Sequence, residues 1–431
     1  MNRVILGLSA GILSLTIHPA LAAEEPVVVM SRNLYLGSDV GVALEKIPNL
    51  PAAAQFMWNQ VKKTNFAERK KILAKEIQSE SPDVIGLQEA TVWYCKANPW
   101  SKKVEVYNFT SELLQELDGR YVIAKKDGIS ALNPGYSIGP IPMLTKVKDP
   151  ETFQRLFGQD SASCGFQIGD ALIIKSELSQ YVNRVGNSEY EDIYKVVPTL
   201  MEIQRGYTWM DIVLQGRNVR VVSTHLESLW DENKVPKAAI QAKQLVDDLK
   251  KTQSPIIVIG DFNSDPRDPR PLKSSNPGGQ PTESQRCPAG SSLCSAYRVM
   301  REAGYEDAGP DSSEAISFTW GTNALLTGAD DKRAEAAMEM GNQFGFTDRL
   351  DYIFLKNGLS VLTSRVIGTT PPYGSDHAGI VAEINLTRLD SIISDELDSH
   401  QPFPITFWDW VGLVISILIL WKLTRRIKKR N

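Results

Sequence analysis

The chain has 431 residues, 42% of them hydrophobic and 23% charged, with a formal net charge of −4. That length can bury a substantial core in one large domain or two smaller ones, and the composition excludes a disordered or low-complexity protein. The acidic balance argues against polyanion binding through bulk charge alone, since phosphate contacts are made by Lys and Arg, although a local basic groove could still form.

Residues 1–22 read as a secretory signal: Arg3, an apolar run over 4–17, and the small-x-small site Ala20-Leu21-Ala22. An uncleaved anchor helix is the alternative. The short run and its break at His18-Pro19 favour cleavage, with the mature chain starting near Ala23. A first strand opens at Val27-Val28-Val29-Met30 and runs into Ser31-Arg32-Asn33-Leu34-Tyr35-Leu36-Gly37. Residues 41–60 are helical or irregular by composition. Phe66, Ile72, Leu73 and Ile77 recur near helical spacing and predict an amphipathic helix over 66–79, stopped by Ser81-Pro82-Asp83. A strand over 84–89 follows, with Glu89 at its end. Helix, turn and strand in close succession give an α/β rhythm.

Residues 91–165 are less regular, apart from a predicted helix over 111–117 and strand over 120–125. The Pro/Gly-rich stretch 133–142 reads as a long loop, either shaping a substrate site or making a surface excursion. A strand is expected over 170–176. Strands over 208–214 and 219–223 flank Gln215-Gly216-Arg217-Asn218 as a hairpin, and the second arm leads into Ser223-Thr224-His225-Leu226-Glu227. A helix over 237–251 places Ile240, Leu245, Val246 and Leu249 on one face.

Ile256-Ile257-Val258-Ile259 is a short, bounded apolar run, the pattern of a buried strand. It ends in Gly260-Asp261-Phe262-Asn263. A buried strand that delivers a carboxylate and a carboxamide to its C-terminal end is a rigid base for a polar site. Residues 265–292 form a loop or insertion, 297–303 a short helix ended by Gly304, and Ser317-Phe318-Thr319-Trp320 a short strand. After an insertion over 322–345, a strand over 349–355 carries Asp351 inside an apolar run. Gly374-Ser375-Asp376-His377 precedes the last strand, 379–386.

Residues 388–404 read as an acidic linker and 405–423 as an apolar run. Lys422, Arg425, Arg426, Lys428, Lys429 and Arg430 follow its core. At a rise of about 1.5 Å per residue the run nearly spans a hydrocarbon layer of about 30 Å. Trp408, Trp410 and Trp421 would anchor it at the interfaces, with the basic tail 424–431 on the cytoplasmic side. A buried helix, which Asp409 favours, and a processed sorting tail are the alternatives. Without Arg3 and the tail cations, 40 basic residues face 51 acidic ones, so the exported part is near −11. The cysteines Cys95, Cys164, Cys287 and Cys294 allow three pairings in an oxidising compartment. The short loop between Cys287 and Cys294 favours that pair, with Cys95–Cys164 as the second; a metal site is the alternative, although the spacing matches no zinc pattern.

Polar residues thus gather at strand ends: Asn33, Glu89, His225, Asp261, Asn263, Asp351, Asp376 and His377. The chain holds four histidines. His18 lies in the signal and His400 in the linker, so both others fall in this set. Asn33 in SRNLYLG, Glu89 in GLQEA, His225 in STHLES, Asp261 and Asn263 in GDFNSDP, Asp351 in RLDYIF, and Asp376-His377 in GSDHAGI together resemble the endonuclease/exonuclease/phosphatase superfamily. That superfamily includes deoxyribonuclease I, abasic-site endonucleases, neutral sphingomyelinases and inositol polyphosphate 5-phosphatases. The motifs stand in the family's order between about Val27 and Leu386.

The resemblance implies an α/β (α+β) fold, a four-layer sandwich of two packed mixed sheets flanked by helices, over residues 26–387. It implies phosphodiester hydrolysis with Mg2+ (or Mn2+ or Ca2+). Phosphodiester attack needs charge neutralisation and an activated water. Glu89, Asn33 and Asp376 would hold or surround the metal. His377, oriented by Asp351, would take the proton. Asn263 and His225 would bind phosphate oxygens, and Asp261 would align the nucleophile or assist the leaving group. Tyr35 stands where nucleases of the family often carry an acidic ligand, and sphingomyelinase-like members tolerate an aromatic there. The expected protein is an exported, membrane-tethered hydrolase with its catalytic domain on the periplasmic or extracellular face. A lipid or other small phosphodiester is favoured over nucleic acid as its substrate, and no protein partner can be inferred. A nuclease, and a non-catalytic scaffold that kept the fold, are the alternatives.

Overall fold

A computed structural model describes residues 25–133, 145–197, 201–228, 236–266, 293, 295–312, 314–321 and 345–386. Two mixed sheets form its centre. In the first, the strands lie in the order Ser360–Ile367, Gly379–Asn385, Val27–Asn33, Val84–Gln88, Asp170–Lys175 and Tyr121–Ile123. In the second, the order is Val182–Glu189, Gly206–Leu214, Arg217–His225, Ile256–Asp261, Asp351–Lys356 and Glu306–Asp307. Each sheet has a parallel pair near its middle: Val27–Asn33 beside Val84–Gln88, and Arg217–His225 beside Ile256–Asp261. Their apolar runs are buried on both faces, which is why they read as continuous rather than alternating patterns.

The sheets pack face to face. Val29, Val84, Leu172 and Ile380 of the first meet Met210, Val221, Ile257, Ile259 and Ile353 of the second in one buried cluster. Each such side chain contributes about 1.5–3 kcal/mol relative to exposure. Helices Leu50–Thr64 and Phe66–Glu80 cover the outer face of the first sheet, and Lys237–Leu249 with Ala296–Glu302 cover the second. This gives the expected layers, with two mixed sheets flanked by helices.

The stretch that read as irregular contains a third sheet, in the order Val104–Asn108, Val92–Lys96, Ser161–Gln167 and Thr145–Lys148. A disulfide joins Cys95 and Cys164 at facing positions of this sheet. Such a bond belongs to an oxidising compartment and agrees with an extracytoplasmic location. The hairpin is tighter than expected: Leu214 pairs with Arg217, and only Gln215 and Gly216 form the turn, both at positive φ. The stretch 317–320 is not a strand. Its first residue closes a 3-10 turn, Ala315–Ser317, and Trp320 makes isolated bridges to Asp348 and His377. Asp351 begins its strand instead of lying inside it.

Among the described residues no helix is long and apolar enough to cross a membrane. The expected signal, linker, span and basic tail, as well as Cys287 and Cys294, lie outside the described residues.

Gly86 lets the two sheets approach closely. A Cβ there would stand 2.6 Å from Ile259 Cγ2 and 3.1 Å from Ser223 Oγ. Gly86→Val is expected to cost about 1–3 kcal/mol in urea unfolding through overpacking. An unchanged midpoint would contradict this tight contact.

Candidate active site

Register builds the floor of the site. His225 pairs with Asp261 across the parallel strands, and Asp261 pairs with Asp351 across the antiparallel ones. The three side chains form a buried row at one end of the second sheet. In the first sheet Asn33 pairs with Gln88, so Asn33 and Glu89 leave their strands at the same end. The strand Gly379–Asn385 runs antiparallel to Val27–Asn33, which brings the preceding His377 to that end too.

Polar contacts join the two sets. Asn33 Nδ2 donates to Asp261 Oδ2 at 3.1 Å and to Glu89 Oε1 at 3.3 Å. The Leu36 N–H donates to Glu89 Oε2. Ser31 Oγ donates to Gln88 Oε1, and Gln88 Nε2 donates to Ser223 Oγ, stitching the sheets just beneath the site. Glu89 is half-buried and sits at φ 52°. Asn263 sits at φ 46°, and its N–H donates to Asp261 Oδ1 at 2.9 Å. Non-glycine residues at positive φ cost strain, and the surrounding hydrogen bonds hold them there.

His377 lies between two carboxylates. Its Nδ1 is 2.8 Å from Asp351 Oδ2, and its Nε2 is 3.6 Å from Asp261 Oδ2. Burial opposes its charge, but Asp351 and Asp261 outweigh burial and lift it to about 10. Asp261 is pushed up to about 7 by burial; the nearby His377 charge pulls it down, and the Asp351 charge raises it. His225 Nε2 lies 3.4 Å from the same Asp261 oxygen. Burial, then the charges of Arg205 and His377, hold His225 well below its ordinary range.

The structure therefore brings Asn33, Glu89, His225, Asp261, Asn263, Asp351 and His377 into one connected set. Asp376 is buried next to them along the chain, and its charge acts on Tyr35, Arg69 and His377. Asn263 Nδ2 donates to the Leu226 carbonyl, beside His225. The Tyr35 hydroxyl is buried without a hydrogen-bond partner.

Sequence reasoning missed several residues that place these groups. Arg69, on the helix Phe66–Glu80, donates to the Leu34, Tyr35 and Gly374 carbonyls, tying the loop after Asn33 to the loop before His377. Arg32 pairs with Glu76 and donates to the His377 carbonyl. Thr319 Oγ accepts from the N–H groups of Leu350 and Asp351. Arg205 touches His225, and Asp170 opens the strand beside Val84–Gln88. Two of these had a usable signal: Arg32 is a cation in a stretch that otherwise reads as a buried strand, and Arg69 falls three residues after Phe66 and four before Leu73, on the apolar face of its helix.

Asp261, Asp351 and His377 offer ligand atoms that all lie within 4.8 Å of one another. Asp351 Oδ1 is buried without a hydrogen-bond partner. Two buried carboxylates with a spare oxygen suit a hard divalent cation, so this group could hold one. It differs from the expected ligands Glu89, Asn33 and Asp376, but Asn33 bridges the two sets.

No curated protein matches the chain. Solved structures with a similar fold include an endonuclease/exonuclease/phosphatase family protein from Leptotrichia buccalis (18% identity, TM-score 0.45, covering 84% of this chain and 100% of that one). A mannosyl-6-phosphatase from Bacteroides thetaiotaomicron is 13% identical, with TM-score 0.43 and coverage of 84% and 100%. A truncated TDP2 from Caenorhabditis elegans is 15% identical, with TM-score 0.42 and coverage of 83% and 96%. The model of the Endonuclease/Exonuclease/phosphatase family matches residues 57–377, which span Glu89 to His377. With that match, the chain belongs to the endonuclease/exonuclease/phosphatase family.

Proposed function

We propose that the chain is a metal-dependent phosphodiesterase, exported and membrane-tethered, that acts on a phospholipid or another small phosphodiester. The observation that carries the catalytic part is the connected set in which Asn33 bridges Glu89 to Asp261 while Asp261 also faces His225 and His377. The lipid preference rests on the sequence. A flexible linker of about 15 residues spans only about 20 Å on average, which keeps the domain near the bilayer. The acidic exported part does not favour a polyanion.

Glu89, Asn33 and Asp376 would hold the cation together with the nearby carboxylates. A bound divalent ion would supply charge neutralisation at the phosphate. Asn263 and His225 would donate to its non-bridging oxygens. Asp351 holds the His377 ring by Nδ1 and leaves Nε2 turned to Asp261. His377, oriented by Asp351 through Nδ1, would take the proton from the attacking water, and Asp261 would align the nucleophile or assist the leaving group.

Turnover of a bis-aryl phosphodiester should require Mg2+ and stop in EDTA. His377→Ala should lower kcat by about 10²–10⁴, the range for a lost proton-handling group. Wild-type turnover in that variant would reject the assignment. Sphingomyelin, phosphatidylcholine and plasmid DNA in the same assay separate the lipid reading from a nuclease.

The raised Asp261 pKa has a signed consequence for stability. An unfolded Asp releases its proton near 3.9, whereas the folded one keeps it to about 7. Between those values the folded chain binds more protons, so this group's contribution is present below about 4 and lost as the pH rises through about 7. In EDTA, the thermal midpoint of wild type minus that of Asp261→Asn should therefore fall from pH 4 to 7. A flat or rising difference would show that burial does not perturb Asp261.

A further inference from the structure

The catalytic histidines differ in what faces them. His377 is flanked by carboxylates, whereas His225 has a carboxylate on one side and a cation on the other. Its Nδ1 lies 3.0 Å from Arg205 Nη1, and its Nε2 lies 3.4 Å from Asp261 Oδ2. A guanidinium has only donors and keeps its charge in proteins. Across the first contact Arg205 must therefore donate, and Nδ1 must accept. A neutral imidazole that accepts at Nδ1 carries its hydrogen at Nε2.

Arg205 is itself held in place. Its Nε donates to Glu227 Oε2 at 3.3 Å, and both side chains are buried. The Glu227 N–H in turn donates to Gln241 Oε1, on the helix Lys237–Leu249. The Arg205 carbonyl accepts from the Tyr190 N–H at 2.9 Å, which fixes the backbone just before the strand Gly206–Leu214. The Asp170 carboxylate adds a further electrostatic tie to Arg205.

We propose that Arg205 is a positioning residue that locks His225 in the Nε2–H tautomer, making it a fixed hydrogen-bond donor toward Asp261 and the substrate phosphate. The assignment of a phosphate-facing donor rests on the functional reading above; the tautomer rests on the Arg205 contact alone. With Nδ1 occupied by the Arg205 donor, the imidazole presents its one hydrogen from Nε2, on the side facing Asp261.

The test uses the whole protein labelled with 15N-histidine, with the His225 signals assigned from a His225→Gln variant. Long-range 1H–15N spectra distinguish an unprotonated Nδ1 from a protonated one. Wild type should show His225 with bare Nδ1 and protonated Nε2. Arg205→Met should lose that single tautomer and lower kcat by roughly 10- to 100-fold, the size expected when the outer partner of a site group is removed. Arg205→Lys, which still donates, should restore the tautomer and part of the rate. A wild-type His225 protonated at Nδ1, or a tautomer unchanged in a folded Arg205→Met, would overturn the proposal. If Arg205→Met fails to fold, the wild-type spectrum and Arg205→Lys still decide it. The spectrum is read without substrate, so an absence of phosphodiesterase activity would sink the functional reading and leave the tautomer result standing.

Discussion

Everything at this site depends on two parallel strand pairs, one in each sheet, that end at the same edge of the sandwich. Parallel neighbours leave their side chains at a common end, so register alone sets Asn33 beside Glu89 and His225 beside Asp261. Antiparallel neighbours then deliver the starts of their own strands to that end, adding Asp351 and the His377 loop. The face-to-face apolar core fixes the distance between the two rows, and Gly86 lets them approach. A polar cluster assembled from so many separated segments would otherwise cost the ordering of several loops. Here the strands have already ordered them.

The second organising fact is electrostatic. Asp261 and Asp351 are buried side by side, with Glu89 close by, and the charges do not cancel. His377 is drawn to keep its proton, and Asp261 gives its own up reluctantly. Arg205 serves a different end, acting on His225 from behind. Arg69 and Arg32 are spent on backbone carbonyls and Glu76, where they hold loops. The carboxylates Asp261 and Asp351, with Asp351 Oδ1 buried and unpartnered, are oxygen donors of the kind a divalent cation takes.

The strands that form the site were legible because each is a short apolar run bounded by polar turns. Ile256–Asp261, Val84–Gln88 and Gly379–Asn385 all have that form, and the residues at their ends stood out for the same reason. The third sheet was not legible. Val104–Asn108, Ser161–Gln167 and Thr145–Lys148 lack a sustained pattern, and they depend on the Cys95–Cys164 link and on packing against Leu50–Thr64. The stretch around Thr319 has β-forming residues, yet tertiary contacts with Asp348, Asp351 and His377 use it as a wedge. Arg205 was hidden because nothing near it in sequence marks it. Its partner His225 lies 20 positions away and meets it only through the pairing of Gly206–Leu214 with Arg217–His225.

The claim that these strand ends form one cation-holding phosphodiester centre is tested most directly by anomalous diffraction from crystals grown with Mn2+. The account predicts a single strong anomalous peak at these strand ends, ligated by Glu89 and by at least one of Asn33, Asp261, Asp351 or Asp376. The absence of a peak there at saturating Mn2+, or a peak whose ligands all lie outside this set, would contradict it.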